Sequence, residues 1–187
     1  LRVGVWLLGA MGAAAATSLR RKLDDSVPAL LISAGFAGGL QAGLRVGDLV
    51  LGENHSDRNI VANLSLDNRW HVGGVTTAQA ILERAEDKRC LGLETGCLAG
   101  DLETAQLAEI CAERRLPMLS VRCISDAMED DLPVPADVLL NPQTGRPNPL
   151  MLFRYLLGHP SCVTGFNKLL KNSRMAQVQL AKGLEEI

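Results

Sequence analysis

Aromatic residues are scarce: two Trp, one Tyr and three Phe make up 3% of the 187 residues. That is too few for the stacking platforms that hold single-stranded nucleic acid, and it leaves the core to Leu, Val, Ile and Ala. An excess of one charge is also missing. Nineteen Lys and Arg stand against twenty-one Asp and Glu, a formal net charge of −2, which removes the electrostatic argument for a nucleic-acid or membrane-surface partner. The five cysteines are an odd number with no C-x-x-C pair, so neither a disulfide framework nor a cysteine-type zinc site is expected. The three histidines lie far apart, none in H-x-x-x-H spacing, and no metal site is expected. No apolar run reaches the length of a membrane span. The composition, 47% hydrophobic and 21% charged, reads as an ordinary globular protein, reduced and cytoplasmic.

What is present is an alternation of apolar runs and helical patterns. Residues 1–16 (LRVGVWLLGAMGAAAA) carry one Arg, an apolar run and small residues, as a weak signal peptide does. The competing reading is a buried strand at Val3–Leu8, a glycine turn and an Ala-rich helix from about Met11 to Leu23. The unbroken continuation through Leu19, Arg20, Arg21 and Lys22 favours it. Pro28–Ser33 fits a strand buried on both faces and runs into a glycine segment, Gly35–Gly39. Leu44–Gly52 reads as a turn and a strand, and 53–69 as loop with a short strand near Ile60–Leu64. From Thr76 to Arg89 the pattern predicts a helix capped by Thr76 or Thr77 and burying Ala78, Ile81, Leu82 and Ala85. A short strand at Cys97–Ala99 follows. Next comes a helix at about Glu103–Arg115 that buries Ala105, Leu107, Ala108 and Cys111, and then a strand at Met118–Ile124. Two or three helices close the chain, at Leu150–Leu157, Val163–Lys171 and Ser173–Glu186. This rhythm predicts an α/β fold, a single domain over 1–187 with a central mixed, largely parallel twisted sheet flanked by helices.

In open α/β sheets ligands gather at the carboxyl ends of strands, and three such places carry suggestive residues. Ser33–Gly39 has glycines that let backbone approach a ligand closely, or that simply turn the chain. Gly100–Thr104 puts two carboxylates where a strand meets a helix, which also complements the helix dipole. Ile124-Ser-Asp126 leaves a buried strand with a hydroxyl and a carboxylate, which are also turn formers.

Taken in order, these segments are more specific than any one of them. Gly35-x-Ala-Gly-Gly-Leu40, Leu44-x-Val-Gly-Asp-Leu-Val50, Asp101-Leu-Glu103 and Val121-Arg-x-Ile-Ser-Asp126 resemble the nucleoside phosphorylase and nucleosidase superfamily. That group includes purine nucleoside phosphorylases and methylthioadenosine/S-adenosylhomocysteine nucleosidases. Val75-Thr-Thr, Glu86-Asp-Lys-Arg, Thr95–Thr104 and Asp126–Pro133 are most similar to its hopanoid-associated phosphorylase branch. The resemblance implies cleavage of the N-glycosidic bond of an adenosine-type nucleoside, with Asp126 as general acid toward the purine. It implies Glu103 as the carboxylate that holds the ribose hydroxyls and steadies the positive sugar. Leu102 would floor the ribose, Ser125 would orient Asp126 or the base, and the Gly38 and Gly39 backbone would line the sugar and nucleophile pocket. For Arg122 the resemblance leaves a structural role and a ligand contact both open, and Gly47-Asp48 reads as a structural turn.

The departures are equally specific. Members usually begin with a strand and a glycine-containing loop ahead of the segment that here starts at Leu1, and that region supplies phosphate ligands or an acid that activates water. The sequence given has neither, so hydrolysis and phosphorolysis both stay open, with phosphate as a co-substrate and no other cofactor. The alternative is a nucleoside-binding or structural relative without catalysis. Gly12 at a helix start is a poor phosphate site, with no Lys or Arg beside it before Arg20. Phe36 replaces a smaller, often hydroxyl-bearing residue, which narrows the pocket or favours an apolar 5′ substituent such as adenosylhopane carries. A homo-oligomer is expected by resemblance alone.

Overall fold

The computed structural model describes residues 3–8, 12–141 and 147–187. Helix α1 (Gly12–Asp25) leads to strand β1 (Leu31–Gly39), then β2 (Leu49–Gly52), a short helix α2 (Arg58–Val61), β3 (Trp70–Gly73) and β4 (Val75–Thr77). Helix α3 (Ala85–Thr95), β5 (Ala99–Asp101), α4 (Thr104–Glu113) and β6 (Met118–Asp126) follow. The chain closes with α5 (Ala136–Leu139), α6 (Pro149–Gly158) and α7 (Cys162–Glu186). The strands form one six-stranded sheet in the order β3-β2-β6-β1-β5-β4. β1 runs parallel to β6, β2 to β3 and β4 to β5, while β1–β5 and β2–β6 are antiparallel. The α/β fold with a mixed sheet flanked by helices is therefore as the alternating pattern predicts.

β6 runs through the core because nearly every one of its side chains is buried. Leu119, Val121 and Cys123 on one face join Leu49, Leu51 and Trp70 under Ala176 of α7. Against Met118, near the start of β6, pack Leu19 and Leu23 of α1 with Leu107, Ile110 and Cys111 of α4. Fully burying one such Leu or Ile is worth about 1.5–3 kcal/mol, so the two clusters fix both layers onto the sheet. Among the described residues no helix is long and apolar enough to cross a membrane.

Several expectations need correction. Residues 3–8 form no strand: Val3, Val5 and Leu7 are exposed, while Trp6 and Leu8 pack on the α1–α4 cluster without a pairing partner. The expected turn at Gly9–Met11 lies outside the described residues. Gly35–Gly39 is not a turn but the second half of β1, held between β6 and β5. The strand expected near Ile60 is helix α2, because the Asp57 carboxylate accepts from the Asn59 and Ile60 amides and caps it. The helix expected from Thr76 begins only at Ala85. β-branched Val75, Thr76 and Thr77 pair with β5 instead, and the Asp131 carboxylate accepts the Ala85 amide at 2.7 Å. Ala105 on α4 is exposed, whereas Leu107 and Cys111 are buried as expected. The two last helices are one, since Ser173 returns its hydroxyl to the Leu169 carbonyl at 2.9 Å and leaves the helix unbroken.

Candidate active site

β1 separates two polar clusters. Side chains alternate along a strand, so Ser33, Gly35 and Ala37 face one side and Ala34, Phe36 and Gly38 the other. On the first side Arg122 of β6 is buried with Asp101 of β5, its Nε 2.6 Å from Oδ2. The guanidinium also donates to the Ser33 carbonyl at 2.7 Å and to its hydroxyl at 3.0 Å. Asp101 in turn accepts the amides of Glu103 and Thr104 and the hydroxyls of Thr77 and Thr104. Burial pushes the Asp101 carboxyl up, but the charge of Arg122 and the hydrogen bonds from Thr104 and Arg122 outweigh it and hold the group below its ordinary value. The arrangement resolves Arg122 as a structural residue that fixes the β5–α4 corner.

That corner presents Glu103, which is half-buried and opens α4, its carbonyl accepting the Leu107 amide. Leu102 precedes it, also half-buried. Because Gly38 pairs with Gly100 in antiparallel register, the chain beyond Gly100 runs back along β1 toward Phe36.

On the opposite edge of β1, β6 carries a bulge: Ala37 pairs with Ile124 but Gly38 with Asp126, leaving Ser125 as the extra residue. Bulges re-aim side chains, and here the Asp126 carboxylate comes to lie over Gly38. A Cβ at Gly38 would stand 3.2 Å from Asp126 Oδ2 and 3.7 Å from Lys88 Cε, so glycine at this position is a matter of space. The Ser125 hydroxyl donates to Asp126 Oδ1 at 2.8 Å. Lys88 of α3, fully buried, forms an ion pair with Oδ2. Asp126 keeps 18% of its side chain exposed, enough to meet a ligand. With strands about 4.8 Å apart, Asp126 and the β5–α4 corner flank Gly38 from either side.

Gly38, Ser125 and Asp126 are thus in one constellation, with Glu103 and Leu102 across β1. Phe36 lies on the same face as Gly38 and is exposed, whereas Gly39 is buried against Ile124 and Leu44. Gly12 begins α1, and Arg20, eight residues on, is paired with Glu113 at 2.6 Å. Among the described residues no three His, Cys, Asp or Glu side chains converge as metal ligands.

No family model matches this sequence. A 5′-methylthioadenosine/S-adenosylhomocysteine nucleosidase of Exiguobacterium is 25% identical over 168 residues, covering 71% of this chain and 70% of that protein. The solved nucleosidase of the same description from S. pneumoniae, with the transition-state inhibitor MT-ImmA, superposes with a TM-score of 0.59 at 25% identity. The match covers 65% of this chain and 66% of that one. The chain is similar in sequence to these nucleosidases and shares the fold of the nucleoside phosphorylase and nucleosidase superfamily. A futalosine hydrolase mutant of Helicobacter pylori shares the fold, with a TM-score of 0.52 at 16% identity over 63% of this chain and 66% of that one. The chain spans about two thirds of the length of the relatives it matches.

Sequence reasoning missed Lys88 as a member of the site. It sits in the Glu86-Asp-Lys-Arg run that contributes to the resemblance, but a lysine on an amphipathic helix reads as solvent-facing. Its partners at Ala127 and Asp130 are 39 and 42 residues away, and no local pattern announces them.

Proposed function

We propose that the chain cleaves the N-glycosidic bond of a purine nucleoside of the adenosine type, transferring the sugar to water or to phosphate. The observation that carries this is the Asp126 carboxylate, re-aimed by the β6 bulge, held by Ser125 and Lys88, and left partly open over Gly38. The 25% identical relatives described as nucleosidases support it.

A departing purine needs a proton or hydrogen bond on its ring nitrogen as the bond to the sugar lengthens. Asp126 takes that role: as the basicity of the departing base rises, its ring nitrogen takes up a proton from water, and the Asp126 carboxylate accepts the hydrogen bond from that N–H and holds the proton in place. Glu103 accepts the ribose hydroxyls and steadies the positive charge developing on the sugar. The Gly38 main chain allows close approach of the sugar, and Leu102 lies beneath it. The exposed row Ile32, Ala34 and Phe36 on the same face of β1 favours an apolar 5′ substituent, such as that of a hopanoid nucleoside, over a free hydroxyl.

The test is base release from adenosine, methylthioadenosine and inosine, with and without phosphate, followed by chromatography. Wild-type protein should release base, and Asp126→Asn should lower turnover by about 10²–10⁴-fold with substrate affinity little changed. Release that needs phosphate identifies a phosphorylase, and release without it a nucleosidase. Unchanged turnover in Asp126→Asn removes the mechanism, and purine binding without any release by the wild type establishes the non-catalytic alternative.

A further inference from the structure

Lys88 has none of its side chain exposed, and in the reaction above it touches neither the base nor the sugar. Its ammonium has three protons and three acceptors: Asp126 Oδ2, the Ala127 carbonyl at 3.0 Å and the Asp130 carbonyl at 2.8 Å. Taking an ammonium out of water costs several kcal/mol even in a relaxed protein. A neutral side chain would serve if tying the loop to the helix were the only task.

The loop is in fact tied without it. Asp131 accepts the Ala85 amide at 2.7 Å, the Leu132 amide donates to the Glu83 carbonyl at 2.8 Å, and the Ala136 amide donates to Glu83 Oε1 at 2.8 Å. Asp130 is further held by Lys168 of α7 at 2.7 Å. What Lys88 adds to these ties is the grip on Asp126 Oδ2. With Ser125 on Oδ1 and Lys88 on Oδ2, both carboxylate oxygens are engaged, so the plane of the carboxylate is set before any ligand arrives.

We infer that Lys88 is the positioning residue of the site: it fixes the Asp126 carboxylate over Gly38 in the orientation that meets the purine. This rests on the reading of Asp126 given above. Asp130 on the following loop is itself paired with Lys168, and the cation in ion-pair contact with Asp126 is Lys88.

The experiment is a double-mutant cycle in turnover with Lys88→Met, Asp126→Asn and the double variant, together with thermal unfolding of each. Lys88→Met is expected to lower kcat at least tenfold with KM changed less than threefold, and to cost nothing further once Asp126 is Asn. Additive losses in the double variant would overturn the inference, since a residue that only supports the fold does not need Asp126 to matter. So would undiminished kcat in a folded Lys88→Met protein. Should Lys88→Met fail to fold, Lys88→Gln, which keeps donors for the two carbonyls without the charge, carries the same cycle.

A second readout is independent of turnover. A crystal structure of the Lys88→Met protein should show the Asp126 carboxylate turned out of the plane it holds over Gly38 in the wild type, with the rest of β6 unmoved. An unmoved carboxylate overturns the inference even in a protein that releases no base. Loss of all base release in the wild type with the carboxylate displaced in the variant instead refutes the proposed reaction and leaves the Lys88–Asp126 coupling standing.

Discussion

Replacing Asp101 by Asn is expected to lower the unfolding temperature sharply while leaving the secondary structure as it is. The carboxylate and the Arg122 guanidinium are 1% and 3% exposed as side chains, so the substitution strands a buried cation rather than freeing a surface one. Breaking a buried pair by removing one partner costs about 3–5 kcal/mol, out of a total stability on the order of 5–15 kcal/mol. At roughly 2–4 °C per kcal/mol for a chain of this size, Tm at neutral pH should fall by about 6–20 °C. Asp101 also anchors the Glu103 amide, so turnover should fall in the same variant. The pH dependence has a definite sign. Burial alone would raise the Asp101 carboxyl, but Arg122 and Thr104 hold it below its ordinary value. Its contribution is therefore fully present above the unfolded carboxylate range near pH 4 and is lost as pH falls through the lower folded value. Thermal melts by circular dichroism from pH 7 downward should show the gap between wild type and variant closing below about pH 4. A gap under about 2 °C at neutral pH, or one that persists unchanged into acid, would refute the reasoning.

Gly92→Ala on α3 should be severely destabilising, because its Cβ would stand 2.2 Å from the Leu40 carbonyl oxygen, a main-chain atom that cannot swing aside. A loss of about 3 kcal/mol, read from the urea midpoint, is expected. Thiol labelling at pH 8 should be biphasic. Exposed Cys90 reacts at once, while Cys111 and Cys123, pushed up to about 11 chiefly by burial, react only when denaturant opens the core.

The elements legible in the sequence are those whose residues serve one purpose along their length. β6 reads as a buried strand because every residue from Met118 to Ile124 is buried, and α4 reads as a helix because Leu107, Ile110 and Cys111 lie on one face. β3 and β4 escaped notice at four and three residues, too short to show a period, and their pairing with β2 and β5 is the tertiary context that decides them. The candidate site divides in the same way. Ser125, Asp126, Leu102 and Glu103 sit in local motifs and can be found there. The bulge that aims Asp126 depends on register with β1, and Lys88 becomes visible only once α3 lies against the loop after β6.

From Gly35 to Gly39, β1 is a thin partition with charge on both sides. A Cβ at Gly38 would stand 3.2 Å from Asp126, closer than side chains ordinarily sit, whereas one at Gly35 or Gly39 would reach only ordinary contact with the Arg122 guanidinium or with Ile124 and Leu44. Ala37 is already enclosed at 3% exposure. Only Phe36, 45% exposed, projects into open space. Lineages or libraries that alter what this face accepts have the most room at residue 36, while Gly38 is kept small by the Asp126 carboxylate and Ala37 by its enclosure.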